Sequence, residues 1–131
     1  MKKKRLLREV SVEIDKLTNS IEEATTGKFY QTEFFYLTLK DTRQIKKKEW
    51  LFDWKSEIGY SDRQVFKMTL KGEEDIMQGL LSFSIETDHI FIHIIESAMF
   101  NRGTNRKYRG VAGNMFAFAC KCSMDAGLGG F

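Results

Sequence analysis

Apolar and polar positions change period several times along this chain. Val10, Val12 and Ile14 alternate with Ser11, Glu13 and Asp15, the two-residue period of a half-buried strand. Residues 17–23 keep no period and read as loop or short helix. Thr25-Thr26-Gly27 is a turn signal, and the aromatic run within residues 28–39 reads as a further strand. From Asp41 to Trp54 the pattern predicts a helix capped by Asp41, with Ile45, Leu51 and Phe52 facing inward and Lys46-Lys47-Lys48 facing solvent. Gly59-Tyr60-Ser61-Asp62 breaks it. Val65–Leu70 reads as a strand, Lys71–Asp75 as a charged hairpin loop and Ile76–Ile85 as the next strand, with Gly79 at a bulge or close approach.

The last third carries the strongest pattern. His89–Ile95 completes an antiparallel run of three strands. On it Ile90, Ile92, Ile94 and Glu96 share one face, and His89, Phe91, His93, Ile95 and Ser97 the other. Both faces are mostly apolar, so the strand is expected to be central and covered by layers on both sides. A loop rich in Asn, Gly and Arg follows. Arg109–Asn114 then opens an apolar helix, Met115 to Ala126, which Gly127 stops.

Composition places the chain among ordinary globular proteins: 131 residues, 42% hydrophobic and 30% charged, enough for one domain with one core. No apolar run approaches the roughly 20 residues that span a bilayer. Residues 1–9 have the charge of a secretory n-region without the apolar stretch behind it, and read as the basic arm of a cytoplasmic protein. Cys120 and Cys122, two apart on a helix, point to nearly opposite sides and read as small apolar residues.

Charge is unevenly distributed. Residues 1–9 hold five bases and one acid, residues 10–96 eleven bases and sixteen acids, and residues 97–131 five bases and one acid. No acid lies between Ser97 and Met124. The loop-helix unit therefore attracts anions while the body repels them. A nucleic-acid binder more often spreads its bases over a whole face, so nucleic acid is not the expected partner.

Candidate chemistry gathers in the same region. Gly110 and Gly113 allow close approach of backbone to a ligand, and amides around Val111, Ala112, Gly113 and Asn114 could form an anion nest at a helix start. A plain solvent-exposed turn is the alternative. Glu96, where the strand leaves the core, either pairs with a loop arginine or serves as a general base. His89 and His93 stand about 13 Å apart along a strand and cannot share a metal, and no Cys/His/Asp/Glu cluster has metal spacing. His93 reads as a hydrogen-bonded core histidine.

The order of strands, loop and helix resembles the GNAT superfamily of acyl-CoA-dependent N-acetyltransferases. Ile90–Ser97 resembles its fourth strand. Lys107-Tyr108-Arg109-Gly110-Val111-Ala112 resembles its pyrophosphate loop, Arg/Gln-x-x-Gly-x-Gly/Ala, with Lys107 in place of Arg or Gln. Met115–Ala126 resembles the following helix, and Gly127–Phe131 the turn into a fifth strand. The run Ile95–Gly103 is similar to a bacterial subgroup of small GNAT-like proteins. The resemblance covers about residues 64–131 and implies acetyl-CoA as cofactor. It implies that backbone of Lys107, Tyr108, Arg109, Gly110, Val111, Ala112, Gly113 and Asn114 holds the pyrophosphate. Ile95 and Ser97 would pair with the pantetheine arm, and Glu96, or His93, would take a proton from the attacking amine. In the family a fifth strand, a helix and two more strands follow, whereas this sequence stops at Phe131.

The expected fold is thus a single α/β domain over residues 1–131, with the motif region at about 88–131. It is a GNAT-like mixed, mostly antiparallel sheet flanked by helices, lacking the last strands. The expected function is acetyl transfer from acetyl-CoA to a small-molecule or protein amine, without a metal and without a membrane. The alternative is a non-catalytic anion- or partner-binding remnant that associates as a homodimer through its exposed sheet edge.

Overall fold

The computed structural model describes residues 20–131. The basic arm 1–9 and the strand expected at Val10–Asp15 lie outside them. The elements in order are β1 (Ser20–Glu23), β2 (Phe29–Tyr36), α1 (Leu39–Thr42), α2 (Trp54–Gly59), β3 (Gln64–Leu70), β4 (Gly79–Ile85), β5 (Ile90–Ser97), a single 3-10 turn (Met99–Asn101), β6 (Tyr108–Arg109) and α3 (Val111–Asp125). The strands form one curled sheet in the order β5-β4-β3-β2-β1-β6, antiparallel at every pairing, a half-barrel closed on its concave side by α3.

Helix α3 buries Val111, Asn114, Met115, Phe118, Ala119 and Cys122, a three-and-four spacing that keeps one stripe against the sheet. Phe118 stacks on Phe34 at 3.9 Å between ring centroids and meets Phe66 edge-on at 4.9 Å. Cys122 lies in this core, and burial pushes its thiol up to about 12. The helix ends as expected: Gly127 takes φ +80°, its amide bonds to Met124 and that of Leu128 to Ser123. Gly79 supplies a close approach. A Cβ there would stand 2.8 Å from Met115 Cε and 3.1 Å from Val111 Cγ1.

The convex side is covered by residues 37–63, and here the structure departs from the expected helix over Asp41–Trp54. Two short helices replace it. Thr38, not Asp41, caps the first, in a capping box with Asp41 at its third position. Asp41 also takes Lys67 Nζ at 2.8 Å. Of the expected inward stripe only Ile45 packs against the core, while Leu51 is 77% exposed and Phe52 48%; Trp50 and Trp54 go inside instead, against Leu37, Val65, Leu80 and Ala98. The Lys46–Lys48 run is exposed as expected.

Strand order also differs from expectation. Among the described residues β5 is an edge strand, and the central strand covered on both sides is β3, all seven of whose residues are buried. The isoleucines of β5 are nonetheless used on both faces, because a bulge splits them. Ser82 pairs with Ile94 while Phe83 pairs with Ile92, leaving His93 as the extra residue. Ile90, Ile92 and Ile95 therefore pack toward α3 and Ile94 toward the convex side, which overturns the single face Ile90-Ile92-Ile94-Glu96. The segment 20–23 is a strand, and β4 begins at Gly79 rather than Ile76.

Two measurements check this packing. Gly79→Val forces Met115 and Val111 to move within a filled core and is expected to lower stability by about 1–3 kcal/mol in urea unfolding. Native protein should present one thiol, Cys120, to a disulfide reagent, and two after denaturation. Because the folded thiol of Cys122 keeps its proton up to about 12 while the unfolded one loses it near 9, its contribution to stability is present below about pH 9 and is lost as pH rises from there toward 12.

Candidate functional site

The loop that resembles a phosphate-binding turn is pinned at both ends by one side chain that sequence reasoning did not single out. Asn101 is buried; its Nδ2 donates to the carbonyl oxygen and to Oε1 of Gln78, at 3.1 and 2.9 Å, and its Oδ1 accepts from the amide of Tyr108 at 3.1 Å. The amide of Lys107 bonds to the carbonyl of Phe100 at 2.8 Å. Tyr108 and Arg109 pair with β1, and Gly110 at φ +84° turns the chain into α3. In sequence Asn101 was one polar residue among several in a basic loop; its partner Gln78 lies 23 positions away, so nothing local marked it.

Helix α3 starts without a side-chain cap. The amide of Asn114 is the first to find its helical partner, at Gly110, so those of Val111, Ala112 and Gly113 have none among the described residues. Ala112 and Gly113 are exposed, no acid lies in the first turn, and a Cβ on Gly113 would meet nothing within 4 Å. One turn in, Asn114 is buried. Its Oδ1 accepts from Thr32 Oγ1 at 2.7 Å, and its Nδ2 has no partner. A buried amide without a partner costs about 1–3 kcal/mol. Lys107 and Arg109 are exposed beside this end. Arg109 leans on Glu22 at 3.3 Å and Lys107 on the ring of Tyr108. The other two bases of the loop are used elsewhere: Arg106 bonds to the carbonyl of Gly103, and Arg102 turns to Glu96. The side chains of Tyr108 and Val111 belong to the core, and burial, then Glu23 and Glu73, holds the Tyr108 phenol above its ordinary value.

The edge of β5 runs up to this helix end. Gly79, against which Val111 packs, pairs with Ser97. The amide of Ala98 is spent on Gln78. Backbone groups of an antiparallel strand alternate between its two sides, so Glu96 bonds inward and Ile95 and Ser97 present theirs to the open edge. At the other end of the strand the amide of Ile90 bonds to the carbonyl of Phe131 at 2.9 Å, and Ser123 Oγ holds the same carbonyl at 2.6 Å. After α3 the chain thus comes back to the free edge of β5.

Glu96 lies on the convex side and is 4% exposed. Its Oε1 accepts from Trp54 Nε1 at 2.8 Å and the amide of Phe52 at 3.3 Å. Its Oε2 accepts from the amide of Leu51 at 2.7 Å and from Arg102 at 3.1 Å. A carboxylate has about four acceptor sites, and these four donors fill them. The pairing with a loop arginine is what the structure contains, enlarged by three donors from a segment expected to be helical. That segment is not helical partly because its amides serve this carboxylate. His93 Nε2 lies 2.9 Å from Ser84 Oγ, remote from the start of α3. Among the described residues no His, Cys, Asp and Glu side chains gather as a metal site would require, and no helix is long and apolar enough to cross a membrane.

Compared with protein-family models, with curated proteins and with solved structures, the chain matches none.

Glu96→Ala would leave two part-buried amides and a buried indole N–H without their acceptor, and the two-thirds-buried Arg102 guanidinium with only the Glu49 carbonyl. We expect a loss of about 2–4 kcal/mol in denaturant unfolding. Glu96→Gln, which keeps two acceptor positions, should lose less.

Proposed function

We propose that this chain is a GNAT-type N-acetyltransferase that binds acetyl-CoA along the open edge of β5 and moves the acetyl group to an amine. One observation carries the reading: an uncapped helix start with three amides that find no partner among the described residues lies at the Ser97 end of β5, where the outward backbone groups of Ile95 and Ser97 likewise find none among them. The amides of Val111, Ala112 and Gly113 would take a diphosphate, aided by the helix dipole and by Lys107 and Arg109. The outward N–H and C=O groups of Ile95 and Ser97 would pair with the amides of a pantetheine arm as an added strand does. Coenzyme A, when bound, supplies the acetyl group as a thioester. The protein's part would be to hold that thioester at the strand end, its carbonyl face open to an incoming amine, an effect of proximity. As the C–N bond formed the C–S bond would break, and coenzyme A would leave as its thiolate, to be protonated by water.

Glu96 does not act as the base in this arrangement. All four of its acceptor positions are filled, so it positions the segment 49–54 beside the strand end, and the amine gives its proton to water. That same filling favours a second reading, a binding domain without catalysis that associates through the β5 edge.

Gly113→Asp separates the readings from a folding defect. Its Cβ meets open space, and an acid in the first turn of a helix is stabilising by a few tenths to about 1 kcal/mol. The variant should therefore melt no lower than the parent and bind coenzyme A at least roughly tenfold more weakly in calorimetry. Equal affinity would remove the diphosphate seat. A parent protein that binds no coenzyme A and sediments as a dimer would favour the second reading.

A further inference from the structure

A cleft of about 360 Å³ opens on the convex side immediately after β5, at the low end of the sizes that hold small ligands. Its apolar walls come from Trp50, Ile76, Met99 and Phe100, and two carboxylates, Glu49 and Asp75, line it as well. Ile76, Met99 and Phe100 are each more than 40% exposed, although Met77 and Ala98 beside them are buried in the convex core. Three large apolar side chains left in water around one concavity mark a binding surface rather than scattered surface residues.

The charge of the cleft is of one sign. Arg102 reaches this region, donating to the backbone carbonyl of Glu49 at 3.0 Å, but its charge is matched by Glu96 at 3.1 Å. Neither Glu49 nor Asp75 has a cationic partner among the described residues. We infer that this cleft binds a primary ammonium carrying an apolar body: the body lies on Trp50, Ile76 and Phe100, and the ammonium sits between Glu49 and Asp75. An anionic or purely polar ligand would meet two carboxylates and a hydrocarbon floor. A neutral apolar one would leave both carboxylates without a counter-charge. Aromatic faces add to the attraction for a cation. The cleft begins at Ala98, one residue beyond the strand edge that ends at Ser97. Resting on the acetyl-transfer reading above, the occupant is the acceptor, an amphipathic amine rather than a polyanion or an acidic peptide.

The probe is 2-phenylethylamine, titrated calorimetrically into the full chain without coenzyme A, against 2-phenylethanol as the uncharged match. The amine should bind and the alcohol bind roughly tenfold more weakly or not at all. The double variant Glu49→Gln, Asp75→Asn should lose that preference, while Met99→Ser should weaken both ligands. All three substitutions fall on side chains that are not buried, so the fold should survive, which thermal unfolding checks. Equal binding of amine and alcohol, or an unchanged preference in the double variant, overturns the inference, as does no binding of either. Coenzyme A is titrated separately into the same proteins. If the amine binds as expected and coenzyme A does not, the cleft assignment stands and the acetyl-transfer reading falls. If coenzyme A binds and the amine does not, the reverse holds.

Discussion

The seating of α3 in the curled sheet is the constraint on which the rest of this structure depends. Val111 and Met115 reach the sheet over Gly79, where any side chain would intrude. Phe118 then lies against Phe34 and Phe66, and Cys122 completes the stripe. This seam fixes the helix along its length and therefore fixes where its first turn points. The amides of Val111, Ala112 and Gly113 gain a defined position because the side chains one turn further on are buried. A helix start held in this way needs no capping side chain to stay formed, and the absence of one leaves its donors available.

The convex side is organised by charge rather than by packing alone. Glu96 gathers two amides, an indole and a guanidinium. Glu57, also buried, takes Arg63 at 2.7 Å and Ser82 at 2.8 Å, and Asp41 takes Lys67. Three acids thus tether residues 37–63, a segment with little regular structure, across β3, β4 and β5. Each carboxylate is matched, so burial is tolerated. The same tethering draws Trp50 and Trp54 inward and leaves Leu51 and Phe52 outside, and it shapes one wall of the cleft beside Met99.

Both proposed ligand surfaces meet at the end of β5. On one side of Ser97 lies the open edge leading to the start of α3; on the other begins the 3-10 turn whose Met99 and Phe100 line the cleft. Asn101 holds that turn and the root of β6 to Gln78 together. A ligand along the edge and a ligand in the cleft would therefore share a rigid junction, which is the arrangement a group transfer needs.

Elements whose period is local were legible in the sequence. β3 and β5 lie close to where the apolar pattern places them, β4 starts three residues later than Ile76, and α3 ends at Gly127 as expected but starts at Val111 rather than Met115, since strand pleat and helix repeat act over neighbouring residues. The close approach at Gly79 was legible for the same reason, as a glycine within an apolar strand. What only the tertiary structure decided came from partners distant in the chain. The 41–54 helix gives way because Glu96, more than 40 residues later, competes for its amides and its indole. Among the described residues β5 is an edge because β2 and β1 extend the sheet beyond β3 on the opposite side, and one extra residue at His93 reversed the faces of its isoleucines, which no single-strand pattern encodes. The role of Glu96 followed the same rule: sequence placed it at a strand end, and only the folded chain supplied the four donors that fill it.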